Sequence, residues 1–204
     1  MYSGKPSFVY GFHGLDKKTA KKILNDKEQF NKSENSYNWL GDGVYFWENN
    51  YERAYQYAVE DSHRKKSKIK KPFVLGAVID LGNCLDLLDQ KYLDFVKESY
   101  EILNFYFKSE SLKLPENTGF GNKDFDFRKR ELDCAVIRTA HIIAEKNNEK
   151  FDTVRAVFPE GNQLYPSSGF KEKNHIQIAV LNPNCIKGIF LPRKKSNHSD
   201  PKSL

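Results

Sequence analysis

Seven consecutive residues, Phe73-Val74-Leu75-Gly76-Ala77-Val78-Ile79, carry no polar side chain. The run is too short for a typical helix and shows no alternation, which suits a strand buried in a core. A 204-residue chain is long enough to wrap one full core around such a strand, and short for two domains. With 39% hydrophobic and 14% aromatic residues it reads as globular rather than disordered. No stretch approaches the roughly 20 apolar residues of a membrane span, so no membrane association is expected. The opening MYSGKPSFVYGFHG lacks the order of a secretory signal. Cys84, Cys134 and Cys185 are odd in number and without C-x-x-C spacing. This speaks against a disulfide framework or zinc site and for a reducing, cytoplasmic setting.

The remaining periodicity predicts strands, then helices, then strands. Phe8-Val9-Tyr10-Gly11-Phe12 reads as a first strand, and Asp16 can cap a helix through Leu24. Val44-Tyr45-Phe46 reads as a strand before a helix over Tyr51 to His63. Further helices are expected from the Asp89 cap to about Phe107 and over Arg128 to Lys146, with LKLPENTGFGNKDFDF as a mobile connection between them. Strands follow at Thr153–Phe158, Ile176–Leu181 and Ile186–Leu191. The fold class is α+β, with a single domain over 1–192 and a basic, disordered tail over 193–204.

The net charge of +6 is concentrated in His63-Arg64-Lys65-Lys66-Ser67-Lys68-Ile69-Lys70-Lys71 and Arg193-Lys194-Lys195. Such blocks are either solvated surface or phosphate contacts. His13 ends the first apolar strand and precedes Gly14, whose missing side chain lets a ligand approach the backbone. Gln177 lies within Ile176–Leu181 and must find partners if both faces of that strand are buried. Arg155 alternates with Val154 and Ala156; it faces either phosphate or a structural acid such as Asp152. Asp42 is read as a turn former.

Phe12-His13-Gly14, then Gly41-Asp42-Gly43-Val44-Tyr45-Phe46 with Tyr51-Glu52-Arg53-Ala54-Tyr55-Gln56-Tyr57-Ala58, then Gln177-Ile178-Ala179-Val180-Leu181-Asn182-Pro183 resemble, in order and spacing, the ADP-ribosyltransferase superfamily. The branch is that of diphtheria toxin and the poly-ADP-ribose polymerases, in a His-Tyr-Gln variant. About 25 residues carry the likeness closely. It implies two small packed sheets around an NAD cleft, with NAD as substrate and no metal. By position, His13 would bond the adenosine ribose, the Gly14 backbone the nicotinamide carboxamide, and Tyr45 would stack on nicotinamide. Either Tyr57 or Tyr55 would close the other side.

Gln177 stands where relatives of the His-Tyr-Glu type place a glutamate. An amide carries no charge and is no general base. The enzyme then transfers a single ADP-ribose, borrows a carboxylate from Glu160 or Glu172, or is silent. Arg155 on the preceding strand, with Glu160, Tyr165 and Phe170 in the loop after it, would contact the acceptor or the pyrophosphate. The resemblance thus implies a mono-ADP-ribosyltransferase acting on nucleic acid (RNA or single-stranded DNA) or protein. By family habit it would be a toxin of a toxin–antitoxin or antiphage system, with an antitoxin as partner. The alternatives are a silent NAD- or ADP-ribose-binding module, and a nucleic-acid-binding protein that uses no NAD.

Overall fold

The computed structural model describes residues 8–119 and 129–193. The tail beyond Arg193 and the Phe120–Arg128 part of the central connection lie outside the described residues. The chain runs β1 (Phe8–Asp16), α1 (Lys17–Leu24), β2 (Val44–Glu48), α2 (Tyr51–Ser62), β3 (Pro72–Asp80) and β4 (Cys84–Asp86). It continues with α3 (Gln90–Ser109), β5 (Asn117–Thr118), β6 (Lys129–Arg130), α4 (Glu131–Lys146), β7 (Thr153–Phe158), β8 (His175–Val180) and β9 (Ile186–Phe190). No described helix is long and apolar enough to cross a membrane.

Local chemistry sets most of these boundaries. The Asp16 side chain accepts from the Lys18 amide at 2.8 Å and so starts α1. Its other oxygen accepts from the Lys71 and Lys70 amides at 2.9 and 2.8 Å, which tethers the end of the basic block. These amides, Lys71 first, hold the Asp16 carboxyl below the usual carboxylate range. Asp89 caps α3 in the same way.

One mixed sheet has the order β4-β7-β8-β2-β1-β3-β9, with only β4 and β7 parallel among its ladders. In place of the two small packed sheets expected, the structure has this one large sheet and a two-stranded ladder of β5 and β6. The two halves are nevertheless joined thinly, because β1 meets β2 only at Gly11↔Glu48 and Phe12↔Trp47. By contrast β1 pairs with β3 along its whole length, from Phe8↔Asp80 to Asp16↔Pro72, which is why it extends past the expected Phe12.

Both faces of the sheet are covered. Val44, Phe46, Ala77, Ile79, Ile178 and Val180 form a core on one face, continued under α1 by Leu15, Ala20, Ile23 and Leu75. On the other face α2 covers Trp47 and Val74, while α4 packs on Leu85, Val154, Ala156 and Ala179. Phe46 is fully buried, worth about 1.5–3 kcal/mol in transfer from water. At Gly14 the helix α2 lies directly on β1: an added Cβ would sit 2.2 Å from the Ala54 carbonyl oxygen.

Candidate functional site

The site is built at the seam where β1 and β2 part company. Beyond Phe12↔Trp47 the two strands no longer pair, and the His13 ring fills the gap, its Nδ1 2.7 Å from the Tyr45 carbonyl oxygen. A carbonyl only accepts, so Nδ1 carries the proton and Nε2 keeps its lone pair. Burial lowers the His13 pKa and keeps the ring neutral. Phe30 and Phe46 flank it at 5.1 and 5.6 Å.

Cross-strand register shows which residues share a face. Trp47 lies opposite Gln177, and Tyr45 opposite Ala179, so Tyr45, Trp47 and Gln177 point to one side. His13 contacts Phe46 and therefore points to the other. The imidazole, phenol and carboxamide expected together come from three adjacent strands but not from one face. His13 reaches the others only through the seam.

Tyr45 is a post of the Trp39–Gly43 turn. Its hydroxyl donates to the Gly41 carbonyl at 2.7 Å and accepts from the Leu40 amide at 2.9 Å, and burial pushes the phenol pKa up. What remains of its expected stacking role is the ring face. Gly41, at φ +72°, supplies the left-handed backbone this closure needs. Asp42 is paired with Arg138 at 2.7 Å, which ties the turn to α4.

Several other candidates are separated. Tyr57 packs on Trp47 at 4.9 Å, whereas Tyr55 is exposed and stacks on Tyr51 at 6.4 Å. Arg155 sits in a cluster of ion pairs. It grips Glu48 with two donors and Asp86 at 3.3 Å, and Asp152 instead bonds the Asn83 amide and the Asn182 side chain. Glu172 folds back onto the Asn162 amide at 3.2 Å and so braces its own loop. Tyr165 and Phe170 project from that loop, 58% and 61% exposed. Glu160 alone of the two loop acids enters the interior, accepting from Arg53 Nη2 at 2.8 Å.

That contact reveals a polar cluster the sequence does not single out: Trp47, Arg53 and His175 around Glu160 and Gln177. The Arg53 side chain is 6% exposed. His175 has Nδ1 2.6 Å from the Lys173 carbonyl, burial lowers its pKa, and the neighbouring Arg53 lowers it further. Gln177 is 9% exposed, and its carboxamide makes no hydrogen bond among the described residues, so it is not a core glutamine satisfied by backbone. Two spacings carried a signal: Arg53 and Tyr57 are four apart on α2, and His175 and Gln177 two apart on β8. Beyond Phe158, a cleft of about 580 Å³ opens between α3, α4 and β7. Trp39, Tyr100 and Arg130 line it, and the Arg130 guanidinium sits 4.2 Å above the Trp39 ring.

Burial lowers three histidines together: His13, His175 and His141, the last to about 4. In the unfolded chain each binds a proton near pH 6.5, but the folded protein resists that proton. Their stabilising contribution is therefore full above pH 6.5 and shrinks as pH falls towards the folded values. The unfolding free energy from urea titrations between pH 7.5 and 4.5 should decline, by at most about 1.4 kcal/mol per pH unit for each histidine. The His141→Gln variant should show a shallower decline than the parent.

No family model matches the chain, and no solved structure matches it. An uncharacterized protein of the archaeon Methanocaldococcus jannaschii is 25% identical over 198 residues, covering 86% of this chain and 83% of its own length.

Proposed function

We propose that the protein is an NAD-dependent mono-ADP-ribosyltransferase whose substrate lies along the β1–β2 seam. The observation that carries this reading is the seam itself, where β1 presents neutral His13, with Nε2 unbonded, and the Gly14 backbone just past its last pair with β2. The unbonded Gln177 carboxamide on β8 stands on the opposite face of the sheet, the face that also carries Trp47, and the half-buried Glu160 carboxylate follows the end of β7. His13 Nε2 accepts from a ribose hydroxyl, and Gly14 offers backbone groups to the nicotinamide carboxamide. Tyr57 or Tyr55 supplies the flanking ring. Gln177 orients the nicotinamide ribose.

In the reaction the bond between C1′ and the nicotinamide nitrogen breaks, and its electron pair leaves with neutral nicotinamide. A lone pair of the acceptor forms the new bond to C1′, and the acceptor's proton passes to Glu160 or water. Positive charge grows on the ribose in the transition state, and a carboxylate in a dry site stabilises it. Glu160 supplies the charge that Gln177 lacks. Exposed Lys65, Lys66, Lys68, Lys70 and Lys71, with projecting Tyr165 and Phe170, suit a single-stranded nucleic-acid acceptor held by phosphate contact and base stacking. A toxin role with an antitoxin partner accords with such an activity.

Incubation of the pure protein with adenylate-labelled NAD and cellular RNA, single-stranded DNA or protein tests the reading. Label entering one pool identifies the acceptor. Absence of both NAD binding and nicotinamide release would rule the function out. His13→Ala should weaken NAD binding by roughly 1–3 kcal/mol through loss of a hydrogen bond to a buried site, read by calorimetry. A second reading, a silent NAD- or ADP-ribose-binding module, is favoured by the pairing of Glu160 with Arg53; it predicts binding without turnover.

A further inference from the structure

We propose that Arg53 is the receptor for a diphosphate group, and that Glu160 is an internal anion occupying it until that group arrives. The guanidinium is deeply buried and poorly satisfied. Nη2 donates to Glu160 Oε2 at 2.8 Å, Nη1 is 3.9 Å from Glu60 Oε1, and both Nε and Nη1 lack a hydrogen-bond partner. Arg is a fork of five donors, and one carboxylate oxygen answers only part of it.

The surroundings also hold unanswered polar groups. Trp47 Nε1–H, which can only donate, is buried without a partner, on a residue 4% exposed. Its ring centre is 6.4 Å from that of His175, which is 5% exposed and whose Nε2 is likewise unpartnered. Because His175 Nδ1–H is engaged by the Lys173 carbonyl, Nε2 is an acceptor, fitted to a hydroxyl beside the anion. Arg53 also lies in the first turn of the 12-residue helix α2, where the helix dipole favours negative charge. A diphosphate brings several oxygens at the spacing a guanidinium fork grips in pairs.

The exchange has a consequence for the loop. Glu160 and Lys173 fasten the Pro159–Asn174 segment to α2, through Arg53 and through Glu60 at 2.9 Å. A diphosphate on Arg53 displaces Glu160 and sets its carboxylate free. The diphosphate site stands by itself, whereas the use of the released carboxylate rests on the NAD-dependent reading above.

Calorimetry of the full chain with inorganic pyrophosphate, orthophosphate and ADP tests this on the parent, Arg53→Lys, Arg53→Gln and Glu160→Gln. Pyrophosphate and ADP should bind the parent, and orthophosphate more weakly. Arg53→Gln should lose at least about tenfold in pyrophosphate affinity, Arg53→Lys should lose less, and Glu160→Gln should gain because the competitor is gone. If Arg53→Gln does not fold, the opposite signs expected for Arg53→Lys and Glu160→Gln decide the matter. No pyrophosphate binding by the parent, no gain in Glu160→Gln, or a loss produced by neutralising Lys65 and Lys66 instead of Arg53 would overturn the proposal. Pyrophosphate binding without any action on NAD would keep this site and remove the transferase. NAD turnover with pyrophosphate affinity unchanged in the Arg53 variants would do the reverse.

Discussion

Glu160→Gln is expected to lower nicotinamide release at saturating NAD by roughly 100- to 1,000-fold while NAD binds at least as tightly as in the parent. The substitution keeps the shape of the side chain and removes its charge. If Glu160 supplies the negative potential at the ribose, that charge matters in the transition state and little in the ground state, so kcat falls and KM does not rise. Glu172→Gln is the matched control, because Glu172 braces Asn162 within its own loop. Turnover of Glu172→Gln should remain within about threefold of the parent, as expected when no charge facing the substrate is removed. An equal loss in the two variants would take the acid away from Glu160. The fold must be intact for the comparison, and since Gln can still accept from Arg53, melting and circular dichroism should show it.

The largest expected loss of stability follows Arg155→Met, about 3–5 kcal/mol in urea unfolding. Glu48 and Asp86 have side chains only 9% and 7% exposed, and Arg155 on β7 reaches Asp86 on the adjoining β4 and, across β8, Glu48 on β2. Removing the cation leaves two buried carboxylates facing one another. The two acids, Glu48 above all, raise the Arg155 pKa, the same coupling seen from the guanidinium side. Glu48 is moreover one of only two β2 residues that pair with β1, so the triad sits where the two halves of the sheet are held together. Arg155→Met combined with Glu48→Gln and Asp86→Asn should recover most of the loss. Failure to recover would mean that packing of the arginine stem, rather than charge, is the main contribution.

Much of the fold was legible because its signals are local. Asp16 and Asp89 cap α1 and α3 as expected, since an N-cap depends on amides two or three residues away. The strand at Thr153–Phe158 and the helix beginning at Tyr51 occur at the predicted positions, because period and turn chemistry act over a few residues. β4, at Cys84–Asp86, was not visible: three residues hold no period, and that strand exists because β7 lies beside it. In the sequence Gly14 signals room for a ligand, yet its first constraint is the α2 backbone lying against it.

The site divides along the same line. His13, Tyr45 and Gln177 could be picked out as polar or glycine-flanked residues on apolar strands, and so could the order of strands and helices that carries them. Which face each side chain takes, the commitment of the Tyr45 hydroxyl to Gly41, the partners of Arg155, and the burial of Arg53 against Glu160 were decided by tertiary structure alone. The Arg53–Glu160 and Arg155–Glu48 pairs each join residues 107 positions apart. The free energy of a buried charge depends on what stands within a few ångströms of it, and no pattern along the chain records which distant residue that is.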